Sequence, residues 1–316
     1  MEFDLIDLIR ARTAVPRADV ALGIGDDAAL LVPPAGQALA VAIDTLVEGV
    51  HFPVGTAPSD IGWKALAVNL SDLAAMGATP AWAMLALTMP AADRVFVESF
   101  ADGFARLARQ HDVALVGGDT TRGSLAVSVG VHGFVSAGEA LRRDGARVGD
   151  AILITGTLGD AAAALRCLDA HDAAALALRT RLDRPTPRVA AGLALRGQAH
   201  ACIDVSDGLL ADLAHICHAS GVAAIVDAHR LPLSLALQSR CAAAMAQELA
   251  LTGGDDYELC FTVAPEQAAV VTQNLVEADC PVTCIGRIVV GAGVRVLDAD
   301  GADITPAHRG WEHFHA

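Results

Sequence analysis

The sequence predicts an α/β (α+β) protein that folds as two domains. Its 316 residues are long for one hydrophobic core, because single cores stop growing at about 250–300 residues. In both halves of the chain, short apolar runs typical of strands alternate with segments of helical periodicity. The stretch 136–150, which contains several glycines and charged residues, is the expected junction. We therefore predict an N-terminal domain, residues 1–137, and a C-terminal domain, residues 138–316.

The most informative segment of the N-terminal half is a predicted helix that follows Ser59 and ends at Gly77. Ser59 is the expected N-cap, and Gly77 stands where a left-handed C-terminal cap is expected. The apolar face of this helix continues into Asp72. A buried carboxylate costs several kcal/mol unless it is paired, hydrogen-bonded or bound to a metal. A single Asp is more often exposed, so the interpretation of Asp72 depends on the rest of the chain.

Two strands of the N-terminal half lead into polar residues. Ala38–Ile43 is predicted to be a buried strand that runs into Asp44 and Thr45. Val113–Val116 is predicted to be a short buried strand that ends in the glycine-rich loop 117–123. Both patterns place carboxylates at the end of a rigid element.

Many aspartates of this chain stand in Gly- or Ser-flanked turns beside apolar strands. They are Asp26, Asp27, Asp44, Asp119, Asp204, Asp207, Asp255 and Asp256. Hard cations such as Mg²⁺ prefer oxygen ligands and usually keep waters and substrate phosphates in their remaining positions. Dispersed single carboxylates therefore favour several Mg²⁺ ions shared with a phosphorylated ligand. Each turn alone is also ordinary turn chemistry, and only the set favours a metal-phosphate site.

The charge and the cysteines exclude several classes of function. A formal net charge of −15 argues against nucleic acid and anionic membranes as partners. Lys64 is the only lysine and no P-loop is present, so phosphates are expected to meet metal ions, backbone amides and arginine. We find neither a secretory signal nor an apolar stretch long enough to span a membrane. The seven cysteines are expected to be reduced thiols of a cytoplasmic protein.

Five ungapped segments resemble, in the same order, the thiamine-monophosphate kinase family. They are GIGDDAALL (23–31), KALAVNLSDLAAMGA (64–78), GGDTTRG (117–123), IDVSDGLLADL (203–213) and GGDDYELCFT (253–262). The resemblance implies a two-domain fold of the aminoimidazole-ribonucleotide-synthetase type. It also implies a homodimer that associates through the ATP- and Mg²⁺-binding N-terminal domain, with ATP near the subunit interface and the C-terminal domain completing the active site.

The implied reaction moves the γ-phosphoryl group of ATP to the phosphate of thiamine monophosphate, the last step of thiamine diphosphate synthesis. The second pKa of a phosphate monoester is about 6, so the acceptor is mostly a dianion at pH 7 and needs no general base. The obstacle is repulsion between two highly charged substrates. Positioning and charge neutralisation supply nearly all of the catalysis in such transfers.

Site residues are carried over from the family at the matching positions. The implied magnesium ligands are Asp27, Asp44, Asp72, Asp119, Asp204 and Asp207, with Thr45 or the backbone carbonyl of Ile43 as further contacts. The implied ATP contacts are Gly118, Asp119, Arg143 and Ser206, and the implied thiamine-phosphate contacts are His51, Asp255 and Trp311. An indole face suits a cationic thiazolium, although a C-terminal Trp could equally pack on its own domain.

Two positions depart from the family pattern. Hydroxyl residues that commonly precede Asp44 are here Ala42 and Ile43, and the family's Gly-Gly-Glu-Asp has Asp255 in place of the glutamate. The sequence leaves two alternatives. A selenophosphate or aminoimidazole-ribonucleotide synthetase is the first, but selenophosphate synthetases typically carry an N-terminal reactive cysteine, and the first cysteine here is Cys167. A non-catalytic sensor is the second, but it would be expected to have lost carboxylates from the metal set.

Overall fold

A computed structural model describes residues 2–312 and divides them into two units. The N-terminal unit runs through Leu73 and resumes over Ala78–Gly138. The C-terminal unit comprises Ala74–Gly77 and the described chain from Glu139 onward. Both units contain sheets and helices, which confirms the predicted α/β (α+β) class. The roles assigned to residues 1–137 and 138–316 stay predictions.

The N-terminal unit is built around a four-stranded sheet. Its elements are α1 (Glu2–Thr13), β1 (Val20–Leu22), β2 (Leu30–Leu31), β3 (Gln37–Val47), α2 (Pro58–Ala75), β4 (Thr79–Met89), α3 (Arg94–Gln110), β5 (Ala114–Arg122) and β6 (Ala126–Ser136). The sheet has the strand order β3-β6-β4-β5, in which only β4 and β5 are parallel. Its core is made by alternate residues of β6, which are fully buried, together with Leu66 and Leu70 of α2 and Phe100 and Phe104 of α3.

Helix α2 ends as predicted and begins two residues earlier than predicted. Gly77 has φ = +62°, and the N–H of Ala78 donates to the carbonyl of Leu73 at 2.7 Å, which is the six-to-one bond of a Schellman motif. The expected N-cap at Ser59 is wrong, because the helix starts at Pro58 and Ser59 lies in its first turn. The fixed φ of proline suits that first turn.

Strand β3 is not the buried strand that was predicted over Ala38–Ile43. It pairs along its length with β6 and forms the edge of the sheet. Because side chains alternate between the two faces of a strand, every second residue points away from the core. Leu39, Val41 and Ile43 are accordingly 45%, 61% and 71% exposed.

Strand β5 is longer than predicted. The expected loop over 117–123 continues the strand to Arg122, because Gly118–Arg122 pair with Leu85–Met89 of β4. The expectation that Asp119 lies in a turn is therefore wrong. Its position is fixed by the ladder of hydrogen bonds between two parallel strands.

The C-terminal unit contains a six-stranded sheet with the order β12-β9-β11-β7-β10-β8. Its elements are β7 (Ala151–Thr155), α4 (Asp160–Leu165), α5 (Ala173–Asp183), α6 (Val189–Ala194), β8 (Ala201–Asp204), α7 (Leu209–Ser220), β9 (Ala223–Asp227), α8 (Leu235–Arg240), α9 (Ala243–Thr252), β10 (Leu259–Val263), α10 (Ala268–Glu277), β11 (Val282–Val289) and β12 (Gly293–Leu297). Helix α7 packs on the sheet through buried residues that include Leu210 and Leu213. Over residues 2–312, none of the helices combines the length and the hydropathy that a membrane span requires.

Candidate active site

One face of the N-terminal sheet carries a row of four residues, three of which are polar. Thr45, Ser128, Ala86 and Asp119 are aligned in register across its four strands. The hydroxyl groups of Thr45 and Ser128 are 2.7 Å apart and hydrogen-bonded, and Asp119 is exposed. Three strand spacings separate Thr45 from Asp119, which is about 14 Å. These two residues therefore suit different ions of a multi-ion site.

The neighbouring position on β3 faces helix α2. The backbone N–H of Asp44 donates to Oδ1 of the fully buried Asn69 at 3.0 Å. The amide group of Asn69 in turn donates to the carbonyl of Ala65 at 2.9 Å, so its orientation is fixed. Asp72 follows Asn69 by one helical turn and is half-buried. The structure thus ties Asp44 to the helix face that bears Asp72.

His51 is held in one orientation by two hydrogen bonds. Its Nδ1 accepts from the N–H of Val47 at 3.0 Å, and its carbonyl accepts from Nζ of Lys64 at 2.9 Å. Since Nδ1 is an acceptor, a neutral ring carries its proton on Nε2. Lys64, the single lysine of the sequence, is 1% exposed. Its hydrogen bond connects helix α2 to the loop that presents His51.

Two further predicted residues of the N-terminal unit differ in rigidity. Asp27 is exposed in a bend, where its N–H donates to Oδ1 of Asp26 at 2.9 Å. Gly118 lies in β5, and a Cβ there would come within 1.8 Å of the carbonyl oxygen of Leu85. A glycine is therefore required for the two strands to approach. Beside Gly118 and Asp119 lies a small pocket whose other walls are mostly apolar, with Ile9 and Ile24 among them.

In the C-terminal unit, the turn between β8 and α7 brings several predicted residues together. We call Val205–Gly208 the β8–α7 turn. Asp204, at the end of β8, is 4% exposed, and Ser206 and Asp207 are half-buried. The carbonyl of Ser206 accepts from the N–H of Asp255 at 2.8 Å, and the carbonyl of Asp207 accepts from the N–H of Trp311 at 2.9 Å. The implied metal, ATP and substrate residues of this unit thus share one scaffold.

Asp255 lies in a strained backbone. Asp255 and Tyr257 have φ of +68° and +51°, in the left-handed region that non-glycine residues rarely occupy. The hydroxyl of Tyr257 donates to Oδ1 of Asp255 at 2.9 Å and fixes the carboxylate. Such strain persists only where surrounding contacts determine the backbone, and it is concentrated at functional sites. Trp311 is 54% exposed, so its indole presents an accessible surface.

Arg143 is exposed, and its backbone runs beside β8. The carbonyl of the preceding Arg142 accepts from the N–H of Cys202 at 2.9 Å, and the carbonyl of Arg143 accepts from Oγ of Ser220 at 2.9 Å. Arg142 is paired with Asp144 through two hydrogen bonds, 2.9 and 2.6 Å long. The two arginines therefore differ in their surroundings. Arg142 is paired with Asp144, and Arg143 lies beside the strand that ends in Asp204.

Comparison with known proteins decides the family. The family models for the N-terminal and C-terminal domains of AIR synthase related proteins match residues 25–135 and 147–299. Thiamine-monophosphate kinase of Escherichia coli (strain K12) is 47% identical over 320 residues, which cover 99% of this chain and 98% of the relative. The chain belongs to the thiamine-monophosphate kinase family. The AIR-synthetase-like two-domain fold predicted from the resemblance is thereby confirmed.

Solved structures agree with this membership. The crystal structure of thiamine-monophosphate kinase from Stenotrophomonas maltophilia K279a has a TM-score of 0.89 and 57% identity, covering 95% of this chain and 96% of that one. The structure of AaThiL in complex with AMPPCP and TMP has a TM-score of 0.79 and 36% identity, covering 99% and 97%. E. coli HypE, a hydrogenase maturation protein, has a TM-score of 0.79 at 22% identity and shares the fold.

Sequence reasoning missed one residue that the kinase scaffold places at the β8–α7 turn. Asp212 of α7 is 3% exposed, and its Oδ2 accepts from the N–H groups of Ser206, Asp207 and Gly208, each at 3.1 Å. Burial, and then the neighbouring Asp204 and Asp207, raise the pKa of Asp212 to about 7. The signal in the sequence is a second aspartate in the first turn of the helix that follows the Asp-Gly pair.

Of the Asp255-Asp256 pair, only Asp255 has the environment of a site residue. Asp256 is 1% exposed and accepts from the N–H of Gly159 at 2.7 Å, and burial raises its pKa well above the usual range. Glu258, which is fully buried, accepts from Thr155, Arg181 and Arg188 at 2.6–2.7 Å. We call Arg181, Arg188 and Glu258 the buried ion cluster. It supports the segment that carries Asp255.

The predicted magnesium ligands fall into one set in each unit. Asp27, Asp44, Asp72 and Asp119 belong to the N-terminal unit, and Asp204 and Asp207 belong to the C-terminal unit. Within residues 2–312, no three His, Cys, Asp or Glu side chains form a group that could hold a metal ion by itself. Single carboxylates on rigid elements nevertheless fit Mg²⁺, which usually takes one or two carboxylates together with waters and substrate phosphates. The individual ligand assignments stay predictions.

Proposed function

We propose that this chain transfers the γ-phosphoryl group of ATP directly to the phosphate of thiamine monophosphate, giving thiamine diphosphate and ADP. This is the last step of thiamine diphosphate biosynthesis. The observation that carries the proposal is full-length similarity to thiamine-monophosphate kinases, including a relative solved with AMPPCP and TMP. The β8–α7 turn supports it, because it contains Ser206 and Asp207, and its carbonyl groups accept from the N–H groups of Asp255 and Trp311, which are implied for thiamine phosphate.

Several Mg²⁺ ions are the cofactors we propose. Asp27, Asp44, Asp72 and Asp119 would hold them in the N-terminal unit, with Thr45 and the carbonyl of Ile43, and Asp204 and Asp207 would hold them in the C-terminal unit. Because the Ile43 side chain is apolar and has no ligand atom, only its backbone carbonyl can bind a metal ion. The side chain itself is 71% exposed. Bound Mg²⁺ neutralises phosphate charge. This supports a reaction between two anions without a general base.

The proposed substrate contacts are those that the family resemblance implies. Gly118, Asp119, Arg143 and Ser206 are the proposed ATP contacts. His51 presents its Nε2–H as a donor to a phosphate oxygen, because Nδ1 already accepts from Val47.

Asp255 and Trp311 are the proposed contacts of the thiamine moiety. The hydroxyl of Tyr257 holds the carboxylate of Asp255 ready for a cation. The half-exposed indole of Trp311 offers a face to the positive thiazolium.

The function is tested by incubating the protein with Mg²⁺, ATP and thiamine monophosphate and separating the products by chromatography. We expect thiamine diphosphate and ADP in equal amounts, loss of both in EDTA, and recovery with excess Mg²⁺. Unphosphorylated thiamine is the control acceptor and should give no product, because it lacks the accepting phosphate. Binding of both substrates without turnover would identify a sensor instead of a kinase.

We also propose that the active form is a homodimer and that it works in the cytoplasm. Seven free thiols support a reducing compartment. Leu39, Val41 and Ile43 of the edge strand β3, together with Met84, which is 47% exposed, form an apolar sheet face. Soluble monomers rarely expose a contiguous apolar patch of this kind. A second copy of the chain is the proposed cover, since the same face also carries Thr45 and Asp119.

The dimer is tested by placing a charge on this face. Val41→Lys should convert a particle of two chains into one of a single chain in sedimentation equilibrium, because an unpaired ammonium would be buried in the interface. Val95→Lys is the matched control, since Val95 is 76% exposed on α3 and lies outside the sheet face. A wild-type protein that sediments as one chain at micromolar concentration would contradict the proposal.

A further inference from the structure

The β8–α7 turn is held from one side by a single carboxylate oxygen. Oδ2 of Asp212 accepts from three consecutive backbone N–H groups, those of Ser206, Asp207 and Gly208. Asp212 is 3% exposed and belongs to helix α7, whose apolar residues lie in the core of the C-terminal unit. This side chain attaches three amides of the turn to α7, in addition to the chain connection at Leu209 and the bond from the N–H of Asp212 to the carbonyl of Gly208 at 3.0 Å.

From its other side, the turn holds the substrate residues. Its carbonyl groups accept from the N–H groups of Asp255, Tyr257 and Trp311 at 2.8–2.9 Å. A displacement of the turn would move these three residues together with Ser206 and Asp207. The placement of both the ATP-side and the thiamine-side contacts in this unit thus depends on the same few atoms.

We propose that Asp212 is a positioning residue for the kinase reaction, acting through the three amides of the β8–α7 turn. This inference rests on the proposed function. Asp212 acts as a hydrogen-bond acceptor, because three N–H groups donate to one of its carboxylate oxygens. An asparagine amide oxygen can accept the same bonds, whereas alanine leaves three amides of the turn without their partner.

A helix-capping role for Asp212 makes a different prediction. An acidic residue in the first helical turn stabilises a helix through the macrodipole. If that were its whole contribution, its removal would lower stability and leave the apparent substrate constants of the folded enzyme unchanged. Groups that orient metal-binding residues instead change metal affinity or activity by about 10- to 100-fold.

The test compares Asp212→Ala, Asp212→Asn and wild type in thiamine diphosphate formation, with KM for Mg·ATP, KM for thiamine monophosphate and the Mg²⁺ concentration at half-maximal rate as readouts. We expect Asp212→Ala to raise these constants by about 10-fold or more, and Asp212→Asn to remain within about 3-fold of wild type. Asp150→Ala is the matched control: Asp150 is also 3% exposed in the C-terminal unit, but it holds Arg147 and His200. It should lower the melting temperature and leave all three constants unchanged.

The outcomes separate this inference from the proposed function. If the wild-type protein is inactive, the proposed function is refuted. If the wild type is active and Asp212→Ala has the same three constants, the positioning role is refuted. The positioning role is also refuted if Asp212→Asn loses as much activity as Asp212→Ala. In that case the hydrogen-bond acceptor at position 212 is not what the reaction requires. If Asp212→Ala does not fold, Asp212→Ser replaces it. If neither folds while Asp150→Ala does, Asp212 is required for the fold and the proposal fails.

Discussion

Asp72→Asn is expected to lower kcat/KM for thiamine monophosphate by about 100- to 1,000-fold. Asp72 lies on α2, one turn after the buried Asn69 that binds the backbone of Asp44. The substitution keeps the size of the side chain and removes a negative ligand. Loss of about 2.7–4.1 kcal/mol of transition-state stabilisation corresponds to this range, because each 1.36 kcal/mol is about tenfold in rate. Steady-state kinetics at saturating Mg·ATP measure the change.

The control for this variant lies on the same helix. Asp60→Asn replaces an aspartate in the first turn of α2, three turns from Asp72, and should leave kcat/KM within about twofold of wild type. Circular dichroism should show the same helix content in both variants. Undiminished turnover in Asp72→Asn would remove Asp72 from the metal set and leave its half-buried carboxylate as a structural feature of the helix.

Glu258→Gln is expected to reduce the free energy of unfolding of the C-terminal unit by about 3–5 kcal/mol. Glu258 is fully buried and accepts from Arg181 at 2.7 Å and from Arg188 at 2.6 and 2.7 Å. Removal of one partner leaves two guanidinium groups without their shared counter-charge, which is the costly way to break a buried ion pair. Urea unfolding followed by circular dichroism measures the loss.

The matched substitution for this test is Glu277→Gln at the end of α10. Glu277 is exposed and accepts from Gln273 at 2.7 Å, so its loss should change the free energy of unfolding by less than about 0.5 kcal/mol. Equal stability of the Glu258 and Glu277 variants would show that the buried ion cluster contributes nothing net. Because the cluster supports the Asp255 segment, KM for thiamine monophosphate should also rise in Glu258→Gln.

The sequence predicts a structural feature correctly where that feature depends only on neighbouring residues. Gly77 was predicted to end α2 because a left-handed cap needs glycine, and it adopts φ = +62°. The burial of β3 was mispredicted, because an apolar run does not reveal whether its strand lies at the centre or the edge of a sheet. Asp119 was placed in a loop, because its glycine neighbours suggest a turn and only the pairing with β4 makes the segment a strand.

In the candidate site, too, the sequence predicts the residue types of the site but not the contacts that depend on the folded backbone. Residue chemistry alone supported a phosphate site with several Mg²⁺ ions, and the family resemblance supplied the individual roles. The sequence shows Asp212 only as an aspartate in the first turn of a helix, and residue types do not reveal that its partners are the backbone amides of the preceding turn. Neither residue chemistry nor the resemblance indicated that Lys64 holds the loop of His51, because this contact joins a buried side chain to a carbonyl thirteen residues earlier. Such contacts depend on the folded backbone.

The left-handed backbone at Asp255 bears on how this family can vary. Aspartate and asparagine enter that conformation more readily than longer or branched residues do. Compared with the glutamate that the family resemblance implies at this position, aspartate is shorter in reach but easier for the backbone to accommodate. We therefore expect both the left-handed backbone and the charge to limit which residues position 255 tolerates. A substitution library at 255 should accordingly retain acidic residues and exclude β-branched ones.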